Sequence, residues 1–210
     1  MKNLLLLSGL AATLTVVTVP ALAQSANLQD WTAAGDVVVD GTSAARLTTA
    51  YQDSFSNEGA ISAGSALLYF ELEPALGLPV GVLAADTFEG SGLRQSFVAA
   101  AGATVQFNWQ LSTVAFDAGE ADRAFVLIDG STLIELGTVA TQTVSGQFSH
   151  SFANAGAHDL AVLVMDVNTA DRVSTLALSN FNVSAVPEPG QWALWLAGLG
   201  SLGLLRRRRA

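Results

Sequence analysis

The chain has no cysteine. Disulfides, a thiol nucleophile and a zinc–thiolate centre are therefore excluded, and the fold is held by packing. Basic residues are few. Of nine Lys and Arg, five lie at the extreme ends, Lys2 and Arg206 to Arg209, which leaves Arg46, Arg94, Arg123 and Arg172 against 17 acidic residues in the body, 24–185. A net charge of −13 there repels phosphates and anionic lipid, so nucleic-acid binding has no electrostatic support. Only two histidines occur, and no Gly-x-Ser-x-Gly elbow, His-Glu-x-x-His pair or phosphate-cradling Gly-Lys loop is present. The familiar hydrolase and nucleotide motifs are absent.

Long apolar runs are confined to the two ends. At the N-terminus, Lys2 precedes an apolar core over 4–19. Pro20 follows, then Ala21-Leu22-Ala23 before Gln24. This is the order of a secretory signal peptide with a small-x-small cleavage site, so residues 1–23 are expected to be removed by signal peptidase between Ala23 and Gln24. At the C-terminus, Pro187 and Pro189 hold φ near −65° and bias their predecessors toward extended backbone, so the segment carrying Glu188 is stiff and non-helical. An apolar stretch over 190–205 follows, and the tail ends on Arg206, Arg207, Arg208 and Arg209. As a helix that stretch rises ~24 Å, short of a ~30 Å hydrocarbon core, so crossing requires bilayer thinning or snorkelling. Trp192 and Trp195 suit one interface, and the arginines suit retention on the cytoplasmic side.

The Val186-Pro187-Glu188-Pro189 motif, the apolar stretch and the Arg-rich end together resemble the PEP-CTERM sorting signal of exported proteins from exopolysaccharide-producing Gram-negative bacteria. The resemblance covers 186–210 only. It implies that an integral-membrane transpeptidase, exosortase, processes the chain. Pro187, Glu188 and Pro189 would be recognition residues in a substrate, with transient residence in the inner membrane and delivery to the cell surface or extracellular matrix. The competing reading is a permanent C-terminal anchor.

The body, 24–185, is long enough for one domain with a real core and too short for two ordinary ones. Nine runs carry strand signals, separated by Gly, Asp, Asn and Ser turns: 37–40, 45–49, 92–99, 104–111, 124–129, 132–136, 147–152, 158–167 and 175–184. Alternation is sharpest over 104–111, where Val105, Phe107, Trp109 and Leu111 interleave with Thr104, Gln106, Asn108 and Gln110. One face of that strand packs and the other meets water. The alternation in 175–184 slips near Ser179, as at a bulge. Asp129-Gly130 suits a tight hairpin turn. Within 62–82 a short helix is expected, capped by Ser65, carrying Leu68, Leu72 and Leu76, restarted by Pro74, closed by Gly77 and covering one end of the sandwich.

The expected fold is all-β, an antiparallel jelly-roll sandwich with one short helix. Segments such as 87–92, 106–109 and 164–167 resemble exported bacterial jelly-roll domains, including carbohydrate-binding modules, and that resemblance implies a fold and no activity.

Catalysis has little support. His150, next to Phe148 and Phe152 in alternation, is expected on a polar strand face, and His158 in a loop bonded to a neighbouring turn. A glycosidase needs only two carboxylates across a cleft. The candidates are Asp117, Glu120 and Asp122, or Asp166 and Asp171. No catalytic residue is assigned and no cofactor is expected, except that a structural calcium ion would suit an acidic domain, with Asp36 and Asp40 or Asp166 and Asp171 nearby. Trp31, Tyr51, Tyr69 and Trp109 are the aromatics available to stack on sugars. Trp109 shares its strand's apolar face and is expected in the core, leaving Trp31 as the freer candidate. The preferred reading is a non-enzymatic surface or matrix protein associated with extracellular polysaccharide or adhesion. A secreted glycan-active enzyme on the same scaffold is the alternative.

Overall fold

Some segments of the body alternate polar with apolar residues, whereas 160–165 is apolar without a break. A sheet open on one face produces the first pattern and a sheet covered on both faces the second. The computed structural model describes residues 27–53, 59–83, 86–114, 121–167 and 173–184, and contains both cases.

The element order is β1 (Thr32–Ala34), β2 (Asp36–Asp40), β3 (Ala44–Thr48), β4 (Leu67–Leu68), α1 (Tyr69–Ala75), β5 (Thr87–Ala99), β6 (Thr104–Thr113), β7 (Asp122–Ile128), β8 (Thr132–Val139), β9 (Val144–Ser151), β10 (Gly156–Val167) and β11 (Ser174–Ser184). The first sheet runs β1-β5-β10-β7-β8 with β4 also on β5, and the second runs β2-β3-β11-β6-β9. Every pairing is antiparallel. The two sheets face each other as a jelly-roll sandwich. Each of the nine expected runs is a strand; β1 and β4, of three and two residues, are too short to show a period.

The core between the sheets takes Leu160, Val162 and Val164 from β10, Val105, Phe107 and Leu111 from β6, and Leu176, Leu178 and Phe181 from β11. The alternate residues of β10, Ala161, Leu163 and Met165, point outward into a second cluster with Leu72 of α1, Leu76 at its C-cap, and Leu78 and Leu83. The helix therefore covers the outer face of the first sheet, and this corrects the expectation that it would close one end of the sandwich. The reason lies in β7 and β10: Phe125, Leu127, Leu163 and Met165 form an outward apolar face that needs a cover.

The helix is shorter than expected and its cap differs. Leu68 occupies the N-cap with no side-chain bond, while Ser65 Oγ accepts the Gln52 amide at 2.8 Å. Its end follows sequence chemistry. Gly77 takes φ +62°, its amide bonds the Pro74 carbonyl, and the Leu78 amide bonds Glu73, which together make a Schellman closure. The buried Glu73 carboxylate then accepts the amides of Gly81 (2.9 Å) and Leu83 (3.1 Å), folding the following segment back over the sheet. The Asp129-Gly130 hairpin forms as expected, with both residues left-handed (φ 50° and 63°) and the Ser131 amide on the Ile128 carbonyl. The slip in β11 is a bulge between Ser179 and Asn182, with Asn180 at φ 55°.

Candidate functional site

With α1 and its continuation laid over one sheet, the sheet surface left open among the described residues is the outer face of the other. Its outward residues follow from the inward ones. In β6, Val105, Phe107 and Leu111 are core, so Gln106, Asn108 and Gln110 look out. In β11, Leu176, Leu178 and Phe181 are core, so Thr175, Ala177, Ser179 and Asn182 look out. In β9, Phe148 is core and Ser145, Gln147 and Ser149 look out. The register ties these into rows across the sheet. Arg46 of β3 pairs with Ala177, Ala177 with Gln110, and Gln110 with Ser145; one row away Ser179 pairs with Asn108 and Asn108 with Gln147.

A shallow open groove of about 510 Å³ lies on this surface, lined by Asn108, Gln110, Ser145, Ala177 and Ser179, with Trp109 and Gly146 between them. That volume is within the range of small-ligand sites. Amides and hydroxyls each donate and accept, so the lining can meet a partner whose hydrogen-bonding groups do the same. Ala177, the smallest side chain in its row, leaves the space beside Gln110.

Among the described residues no aromatic ring takes part from the outside. Phe107, Phe148 and Phe181 stack in the core, at centroid separations of 5.0 and 5.6 Å. Trp109 packs against the core as expected, its indole accommodated by two glycines: a Cβ at Gly146 would lie 2.9 Å from the ring, and one at Gly137 3.0 Å. Trp31 is not free. It is 9% exposed and meets Phe181 edge-on at 4.9 Å, because the short turn at Leu28–Asp30 delivers it into the core. Tyr69 and Phe70, paired at the start of α1, and Phe88 of β5 reach solvent, whereas the half-buried Tyr51 bonds Asp53.

Of the expected acid candidates, Asp122 and Asp166 lie among the described residues. Asp122 and Asp166 come onto adjacent strands, one step beyond the Arg123–Met165 pair, and both are wholly buried between the sheets. Asp117, Glu120 and Asp171 lie outside the described residues. Asp36 is spent on the fold. Its Oδ1 accepts the amides of Ser62 (2.9 Å), Ala63 (2.7 Å) and Gly64 (3.2 Å), and its Oδ2 accepts the Thr48 hydroxyl (2.5 Å). Burial alone would raise its pKa, but the Thr48 hydroxyl and the three amides hold it below the usual carboxylate value. Asp40 is exposed at the end of β2. Among the described residues no group of three or more His, Cys, Asp or Glu side chains is placed to hold a metal ion.

His150 departs from expectation, and His158 does so in part. His150 pairs with the core residue Val105 and sits edge-on to Phe152 at 4.9 Å, on the inward face. Residues two apart on a strand share a face, so Phe148, His150 and Phe152 are necessarily on the same side. His158 lies in β10, paired with Phe97, instead of in a loop, and it bonds the neighbouring turn as expected. Its Nδ1 lies 3.0 Å from Asp129 Oδ2 and its Nε2 3.1 Å from the Asn154 carbonyl.

Ala21, Ala23, Gln24, Pro187, Glu188, Pro189, Arg206, Arg207, Arg208 and Arg209 lie outside the described residues, as does the apolar stretch before the arginines. Among the described residues no helix is long and apolar enough to cross a membrane. The groove residues themselves were not singled out as a site from sequence, although Asn108 and Gln110 were noted beside Trp109. The available signal was the lack of any Asp, Glu, Lys or Arg in β6, β9 and β11.

In sequence, residues 185–209 match the PEP-CTERM protein-sorting motif. No curated protein matches the chain. Among solved structures it is similar to TmCBM61 in complex with β-1,4-galactotriose, at 13% identity over 77% of this chain and 92% of that one, with a TM-score of 0.36. It is also similar to a CBM4 structure, at 13% identity over 75% and 96% with a TM-score of 0.35. A third similarity is to the N-terminal cellulose-binding domain of Cellulomonas fimi β-1,4-glucanase C, at 10% identity over 78% and 93% with a TM-score of 0.33.

Proposed function

We propose that this chain, which carries a PEP-CTERM sorting motif at 185–209, is an exported, non-enzymatic surface or matrix protein that is processed by exosortase and associates with extracellular polysaccharide. In this reading signal peptidase removes 1–23, the body 24–185 folds outside the inner membrane, and 186–210 directs processing through Pro187, Glu188 and Pro189. Arg206 to Arg209 hold the end on the cytoplasmic side. The observation that carries the binding half is the open groove lined by Asn108, Gln110, Ser145 and Ser179 on the outer face of the second sheet. Its donors and acceptors suit the hydroxyls of a sugar chain, and a flat, open surface admits a polymer passing through. Burial of Asp122 and Asp166 between the sheets weighs against the glycan-active alternative. A glycan array on the purified protein, with a reducing-sugar assay on every polymer retained, tests the reading: retention without cleavage is expected. Release of reducing ends would replace it with the enzyme reading, and absence of both would leave only sorting.

A further inference from the structure

We propose that the polymer taken by this groove is uncharged, and that it is held by hydrogen bonds without aromatic stacking and without ion pairs. The inference rests on the reading that the groove binds a glycan, and adds its chemical class.

Charge segregation carries the argument. The body holds 17 acidic residues against four arginines, yet β6, β9 and β11 contain not one Asp, Glu, Lys or Arg. These segments are far apart in the chain and become neighbours only because the sheet runs β11-β6-β9. The other sheet is different: β5, β7 and β10 carry Arg94, Arg123, Glu89, Asp122, Asp159 and Asp166. The open face is therefore a neutral window on an anionic body.

An anionic polymer approaching that window meets the field of the −13 body with no cation in the three strands to offset it. Recognition of carboxylate or sulfate is the work of arginine and lysine forks, which β6, β9 and β11 lack. The nearest cation in the rows is Arg46 of β3, beyond Ala177, and its Nη2 donates to Ser62 Oγ at 2.9 Å. A neutral sugar chain suffers no such repulsion. Its hydroxyls need partners that both donate and accept, which the side chains of Asn108, Gln110, Ser145 and Ser179 supply. Among the described residues no ring is offered there for stacking: Phe107, Phe148 and Phe181 lie in the core and Trp109 packs against it.

The test is affinity gel electrophoresis of the full-length protein through gels containing hydroxyethylcellulose, dextran, galactomannan or arabinoxylan, and through parallel gels containing carboxymethylcellulose, alginate or hyaluronan. Retardation by at least one neutral polymer and by none of the anionic ones is expected. Binding should change less than about twofold between ~0.05 and ~0.5 M salt, because no charge pairs are screened. Gln110→Glu, checked for folding by circular dichroism, should weaken retardation about tenfold, whereas Arg46→Gln should leave it within about twofold. Retardation by an anionic polymer that fades with salt or with Arg46→Gln would overturn the neutral class and leave glycan binding standing. No retardation by any polymer would overturn both.

Discussion

Single residues decide where the chain turns from one sheet to the other and how its charges are held. Gly35 joins β1 of the first sheet to β2 of the second at φ +86°, and a Cβ there would lie 2.4 Å from Ser91 Oγ and 2.8 Å from the Gly90 carbonyl. The contact matters because Ser91 Oγ accepts the Asp36 amide (2.8 Å) and donates to the Thr48 carbonyl (2.6 Å), tying the sheets together. Gly35→Ala is expected to cost about 2–3 kcal/mol in urea unfolding, from crowding added to left-handed strain. Acid should loosen the same corner. The Asp36 pKa is lowered, so its contribution is full above the ordinary carboxylate value and is lost as pH falls through the lowered one. At the opposite sign stands His158. Burial would lower its pKa, but the Asp129 carboxylate and the Asn154 carbonyl raise it above 6.5. Its stabilisation is therefore full below 6.5 and is lost as pH rises through the raised value. Asp129→Asn keeps a residue tolerant of φ 50° while removing the charge. It should flatten the alkaline fall of melting temperature against pH, and an unchanged profile would assign that fall elsewhere. At this scale the sequence misleads most. Trp31 and His150 have polar neighbours in the chain and apolar ones in space, since local composition says nothing of which strand lies opposite.

Elements were more legible, and for a stated reason. Period-two alternation in β6 requires one wet face, and the unbroken apolar run in β10 requires two dry ones; both requirements are met. The site of the helix was not legible, because its own pattern shows an apolar stripe without saying which surface receives it. Leu72 is fully buried beneath α1, against β7 and β10. Leu72→Ala should cost about 2–5 kcal/mol by chemical denaturation, as expected for a buried leucine. Glycan retention of the folded variant should be unaltered, since the groove is on the other sheet. Loss of retention in folded protein would show that the two faces are coupled. The short strands β1 and β4 could not be read, as two or three residues carry no measurable period.

For the molecule as a whole, the terminal segments and the body answer different questions. Destination is written in contiguous residues. Glu188→Ala, or replacement of Arg206 to Arg209 by glutamine, is expected to stall maturation, seen as unprocessed precursor by mass spectrometry of membrane fractions. Normal trimming in both variants would remove exosortase recognition from the account. The sequence alone determined the sorting motif at 185–209, the all-β class, most strands with their bulge and hairpin, and the exclusion of thiol chemistry. These depend on the order of neighbouring residues or on composition, which a linear chain displays in full. Only the tertiary structure decided that α1 covers one sheet face, that Asp122 and Asp166 are sealed inside, and that β11, β6 and β9 merge into one uncharged surface. Those facts depend on which distant segments hydrogen-bond side by side, and an antiparallel ladder is specified by packing across the whole sandwich rather than by any single strand.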